Sequence, residues 1–168
     1  MTAADAPQEP HWLDDAEQHA WRQLAGVLLK LPSELDAQLR REAGMSHFEY
    51  WVVALLSEAP DRTLRMSQLA SQANASLSRL SHVVSRLEKR GWVTRRPCPD
   101  DARATLAVLT DTGWHQVLAA APGHVATVRQ LVFDGLDPDD VDELARLCAA
   151  ILSRIDPGSG PGGGQLRG

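Results

Sequence analysis

The residues from Leu69 to Arg103, LASQANASLSRLSHVVSRLEKRGWVTRRPCPDDAR, constrain the fold most, because two helical periods, a tight turn and a proline-broken β pattern follow one another without a spacer. Leu69, Ala73, Leu80, Val83, Val84 and Leu87 recur at helical spacing and predict two helices, each with one inward face. Ala70 permits close crossing of the pair, and Asn74 suits the left-handed residue of a short inter-helix turn. Ser76 is the expected N-cap of the second helix and Gly91 its expected stop. Ser78, Arg79, Ser81, His82 and Arg86 then fall on the outward face of that helix. Hydroxyls, an imidazole and guanidiniums match the donors, acceptors and phosphates of a DNA major groove.

Beyond Gly91, the segments Trp92 to Arg96 and Ala104 to Thr110 alternate as strands do, and the stretch Pro97-Cys98-Pro99-Asp100-Asp101-Ala102-Arg103 joins them. The pattern predicts a hairpin with a basic loop. Arg103 at its tip suits the negative potential of a minor groove, and Asp101, two residues earlier, is placed to orient that guanidinium. Arg95 and Arg96 point to opposite sides of their strand, so one of them lies nearer a phosphate backbone than the other.

These residues, above all LEKRGWVTRRPCPDDAR followed by LTDTG, resemble the MarR family of bacterial winged-helix transcriptional regulators over roughly residues 15 to 155. The resemblance implies a second helix that reads the major groove, an Asp-x-Arg wing in the minor groove and a homodimer held by the terminal helices. It makes Arg103 the wing arginine and Asp101 its partner. Ala102 stands where many members carry a second arginine, so this wing is less basic than most.

Charge supports the same site independently. The chain carries 17 Lys+Arg and 22 Asp+Glu, a net charge of −5, which argues against a generally adhesive nucleic-acid binder. Between Asp61 and Thr110, however, nine basic residues face four acidic ones, giving +5, while the remaining eight basic and eighteen acidic residues give −10. A positive surface on an acidic body favours oriented docking onto phosphate.

The fold class expected is mainly α with a small β-wing: a winged helix-turn-helix domain over residues 61–110, set on a helical dimerisation body. Residues 1–10 and the tail 156–168 are rich in Pro, Gly and small polar residues and are expected to be disordered. Residues 11–60 supply a first helix from about Leu13 to Glu42, kinked or divided at Pro32 and stopped at Gly44, then a second helix opened by the capping box Ser46 to Glu49. Thr63-Leu64-Arg65 is expected to add a third strand. Residues 111–155 supply a helix from Thr110 to about Phe133, interrupted at Pro122-Gly123, and a last helix capped by Asp137 with Pro138 at its first position. The terminal helices are apolar over more surface than one small chain can cover. A two-fold homodimer follows, and with it a palindromic double-stranded DNA operator whose half-sites lie about 34 to 36 Å apart.

The resemblance also implies a small aromatic effector, for which Trp21, His47, Tyr50, Trp51 and Trp114 are the candidate pocket residues; the same rings also suit the core. Cys98, beside Arg95 and Arg96, is the candidate for an oxidation-sensitive thiol, and Cys148 reads as a core residue of the last helix. Two cysteines make neither a disulfide framework nor a zinc pattern. His11, His19, His47, His115 and His124 lack the spacing that sets two ligands on one helical face, so no metal or cofactor is expected. No Gly-rich phosphate loop or nucleophile elbow is present, which argues against an enzyme. The absence of a membrane-length apolar run and of signal-peptide character points to the cytoplasm. The competing function is a winged-helix module that docks onto proteins without reading DNA.

Overall fold

Six helices surround a small antiparallel sheet in a computed structural model that describes residues 10–155. The disorder expected of the two ends falls, apart from Pro10, outside those residues. The first helix, α1 (Asp15–Ala43), opens with a reciprocal box. Asp14 accepts from the Glu17 N–H at 2.8 Å, and Glu17 accepts from the Asp14 N–H at 2.9 Å. It closes at Gly44, whose φ of 62° is the left-handed conformation that a side chain disfavours. Pro32 does not divide it. The ring faces solvent and deletes a single N–H donor, and water can reach the carbonyl it displaces at exposed Leu28, so the helix runs through for 29 residues.

The second helix, α2 (His47–Glu58), has the predicted capping box at Ser46 and Glu49. It leads through a short turn at Pro60–Arg62 into β1 (Thr63–Arg65), the expected third strand. Asp61 and Arg62 are both left-handed, at φ 50° and 52°, which nothing in the residue pattern announced. The two central helices follow, α3 (Met66–Gln72) and α4 (Leu77–Lys89). Asn74 between them takes φ 48°, as the turn required, and Ala75 donates its N–H to the Ala70 carbonyl at 2.9 Å. At the far end Gly91 adopts φ 72° while Trp92 donates to Leu87 at 3.0 Å and Gly91 to Glu88 at 2.9 Å, the paired bonds that satisfy a helix C-terminus.

Strands β2 (Val93–Cys98) and β3 (Asp101–Leu109) form the hairpin, and the sheet order is β1-β3-β2 with Thr63 opposite Val108 and Val93 opposite Leu109. Alternation between buried and exposed residues, expected in the two flanking segments, holds only at the base of the hairpin. In β2, Val93 is buried and the next four residues are exposed, because the ribbon leaves the core and has solvent on both faces.

After the hairpin, α5 (Asp111–Val128) is capped by Thr110, which accepts from the Gly113 N–H at 3.0 Å. The interruption expected at Pro122-Gly123 does not occur. Gly123 serves close helix crossing instead: a Cβ there would lie 2.6 Å from Glu42 Oε2 and 3.2 Å from Gln38 Nε2 on α1. A π-helical turn over Arg129–Phe133 ends this stretch. The last helix, α6 (Pro138–Ile155), is capped by Asp137, which accepts from Asp140 N–H at 2.9 Å.

The core is formed by α2, α3, α4, the hairpin base and a few residues of α1 and α5. Leu39, Leu56, Leu69, Leu80, Val84 and Leu87 are wholly buried in it. At about 25 cal/mol per Å² of apolar surface, each such leucine contributes roughly 2 kcal/mol toward folding. The body helices differ. Only Leu35, Gln38 and Leu39 of α1 are buried and no residue of α6 is, so Cys148, expected in the core, is exposed on α6.

Candidate nucleic-acid interface

Helix α4 lies between two open clefts. The first, of about 690 Å³, separates it from the hairpin and is lined by Arg65, Ser67, Ser81, Arg95, Arg96 and Arg103 among others, with Asp101 as its one carboxylate. The second, of about 590 Å³, lies between α4 and the start of α2 and includes Ser76, Ser78, Arg79, His82 and Arg86. Together the two clefts gather every residue proposed from the sequence to meet DNA.

The structure separates these residues by what holds them. Ser76 caps α4, accepting from the Arg79 N–H at 3.2 Å, so its hydroxyl already has one local partner. Ser78 and His82 are exposed. The Arg79 guanidinium sits over the Phe48 ring, 4.2 Å from its centre. Arg86 is exposed on the outward face, as expected, and donates from Nε to Glu49 Oε1 at 3.0 Å. Burial alone would raise the Glu49 carboxyl, but the Ser46 N–H and hydroxyl and the Arg86 guanidinium outweigh it and hold it below the usual carboxylate range.

Arg95 is also engaged. It donates to Glu88 Oε2 and, at 2.9 Å, to the Ser85 hydroxyl, with Ser81 at 3.4 Å, and so ties the hairpin to the flank of α4. Arg96 has no hydrogen-bond or ion-pair partner among the described residues, which answers which of the two strand arginines is available. Asp101 acts differently from the expectation. Its Oδ1 accepts from the backbone N–H of Arg103 at 3.0 Å, and its Oδ2 lies 3.7 Å from Arg65 Nη1, so the carboxylate shapes the loop and draws in a second arginine. The Arg103 residue is exposed.

Arg65, Phe48, Glu49 and Glu88 were missed by sequence reasoning. Glu88 and Arg95 sit seven residues apart across a helix end and a turn, and Glu49 and Arg86 are thirty-seven apart, so no periodicity within one element reveals either pair.

The residues proposed as an aromatic pocket differ in exposure and surroundings. Trp21 is 56% and Trp51 39% exposed, and Trp114 lies beneath the Arg62 guanidinium at 4.4 Å. His47 and Tyr50 do come together, with ring centres 5.7 and 4.5 Å from that of His124, but neither cleft beside α4 is lined by any of the five. Burial pushes the His47 and His124 imidazoles below their ordinary value; Asp36 partly offsets this at His47, and His47 adds to it at His124. Cys98, the candidate oxidation-sensitive thiol, is 6% exposed and lies shielded at the bulge between Pro97 and Cys98. No cluster of three metal-ligating side chains and no helix long and apolar enough to cross a membrane occurs among the described residues.

Known proteins share the family pattern and the fold. The family model described as "MarR family" matches residues 45–105. The crystal structure of Sco3205, a MarR family transcriptional regulator from Streptomyces coelicolor in complex with DNA, is 45% identical, covers 89% of this chain and 94% of that one, and superposes with a TM-score of 0.86. AbsC, a MarR family transcriptional regulator from the same organism, is 37% identical over 87% of this chain and 98% of its own, with a TM-score of 0.83. Among curated sequences, the transcriptional repressor MprA of Escherichia coli K12 is 24% identical over 119 residues, 71% of this chain and 67% of that protein.

Proposed function

Because the chain belongs to the MarR family, we propose that it works in the cytoplasm as a homodimer on double-stranded DNA, with α4 in the major groove and the β2–β3 hairpin in the adjoining minor groove. Membership makes it a transcriptional regulator and not an enzyme. The observation that carries the DNA assignment is the cleft between α4 and the hairpin, whose lining holds Arg65, Arg95, Arg96 and Arg103 against the single carboxylate of Asp101. Ser78, Arg79, Ser81 and His82 take the base-facing positions, and Ser76, Arg65 and Arg96 are placed for phosphates. Arg103 enters the minor groove. Arg86 and Arg95, already paired to Glu49 and Glu88, fix the attitude of α4 and the hairpin and reach DNA only from those anchors.

The dimer rests on the helical body. Leu144, Leu147, Ile151 and Leu152 on α6, and Trp21, Val27, Leu28 and Leu29 on α1, are all more than a third exposed in the protomer, and a second copy is the partner that covers them. Two α4 helices related by a two-fold axis meet successive major grooves, about 34 to 36 Å apart, which calls for a near-palindromic operator. The output is repression, by likeness to MprA. Release by a small aromatic ligand completes the proposal, with His47 and Tyr50 beside His124 as the part of its wall that lies together.

Recovery of bound duplexes from a random pool at moderate salt tests this, with candidate phenolics added in a second arm. The expected result is an inverted repeat whose binding weakens steeply with salt and is released by a phenolic. Failure to enrich any duplex overturns the DNA assignment in favour of a protein-docking module; enrichment without release removes the aromatic effector alone.

A further inference from the structure

We propose that Phe48 is a specificity-determining positioning residue: its ring holds Arg79 in the conformation in which that guanidinium reads a guanine. The inference rests on the DNA assignment above and adds to it a residue outside the recognition helix.

Phe48 is the second residue of α2 and Arg79 the third of α4, so the contact joins the first turns of two helices. The platform beneath the ring is fixed from several sides. Ser46 and Glu49 cap α2 reciprocally, at 2.8 and 3.2 Å, and the His47 N–H donates to Asp36 Oδ1 on α1 at 2.8 Å. Glu49, the neighbour of Phe48, also grips Arg86 at 3.0 Å, seven residues beyond Arg79. Seven residues are close to two helical turns, so Arg79 and Arg86 lie on one face of α4, and consecutive residues of α2 hold both. Phe48 itself is partly buried against the core.

Stacking on the ring uses only the flat face of the guanidinium. Its in-plane N–H groups stay unpaired, since Ser76 bonds the Arg79 backbone and no described residue accepts from the side chain. A planar fork with free edge donors, held near the N-terminus of a recognition helix, is what bidentate contact to guanine O6 and N7 needs. A flexible arginine would lose rotamer freedom on binding, whereas one already at rest on a ring loses less.

The test compares pool selections and affinities for the full-length wild type, Phe48→Leu, Arg79→Ala, Arg79→Lys and the Phe48→Leu/Arg79→Ala double variant. The wild type is expected to enrich a guanine at one position of each half-site. Phe48→Leu, which keeps apolar volume, should lower that preference about tenfold while binding of non-specific duplex stays within about twofold. Arg79→Lys, at an exposed position, should lose the same preference with the charge retained, and the double variant should lose no more than Arg79→Ala alone. If Phe48→Leu does not fold, Phe48→Met takes its place in the cycle. Wild-type guanine preference in Phe48→Leu, additive losses in the double variant, or an Arg79→Ala variant that weakens all duplexes equally would each overturn the inference while leaving DNA binding intact. A wild type that enriches nothing overturns the DNA assignment and this inference with it.

Discussion

The region from Met45 to Thr110 and the helical body formed by α1 and α6 obey the same hydrophobic rule with opposite results. In the first, helices α2 to α4 and the hairpin base bury Leu56, Leu69, Leu80 and Leu87 completely, so its core is finished within one chain. In the second, 29 residues of α1 bury three side chains and α6 buries none, while Leu152 and Ile155 stay 61% and 72% exposed. The difference shows that an amphipathic pattern specifies a buried face without specifying whose surface buries it. The lobe closes its own core, and the body leaves an apolar face uncovered in one chain.

The strongest challenge to that contrast is truncation on each side of it. Leu80→Ala should cost about 2 to 5 kcal/mol in chemical denaturation, whereas Leu152→Ala should cost under about 0.5 kcal/mol in protein dilute enough to be monomeric. Equal losses would erase the distinction. Next, Leu147→Asp combined with Ile151→Asp should break the dimer and weaken operator binding roughly a hundredfold, equivalent to about 2.7 kcal/mol, with the lobe still folded by circular dichroism. A dimer that survives both charges places the interface elsewhere.

Smaller effects sharpen the two halves separately. Arg103→Ala should reduce the slope of log affinity against log salt by about one per subunit, read by fluorescence anisotropy at several salt concentrations. An unchanged slope removes the hairpin tip from the phosphate boundary. The smallest effect lies where α2 meets α5, at His47 and His124. Both imidazoles are depressed by burial, so the unfolded chain binds protons at higher pH than the folded one. Their stabilising neutrality is fully present above about pH 6.5, declines as pH falls below that value, and levels off beneath the folded-state values. His124→Gln should flatten part of that decline in thermal melts at a series of pH values.

Local features were the most legible in the sequence. Ser46, Ser76, Asp137, Gly44 and Gly91 each act within a few residues through a cap or a left-handed turn, and the residue types alone placed them. Pro32 does not divide α1, nor Pro122 interrupt α5, because a proline on an exposed helix face sacrifices little, and Gly123 continues the helix because its small size serves a neighbour, α1, that local pattern does not name. The same limit separates the two layers of the candidate site. Its polar outward face was visible from periodicity, whereas the Glu49–Arg86 and Glu88–Arg95 anchors depend on which elements meet in space. Periodicity reveals which side chains face outward, but not which of them are already paired.

The mass of the complex on a duplex recovered by selection, measured by analytical ultracentrifugation across a salt series, tests the central claim most directly. Two protomers on each duplex, dissociating steeply as salt rises, is the predicted result. A single protomer on the duplex, or binding indifferent to salt, would contradict it.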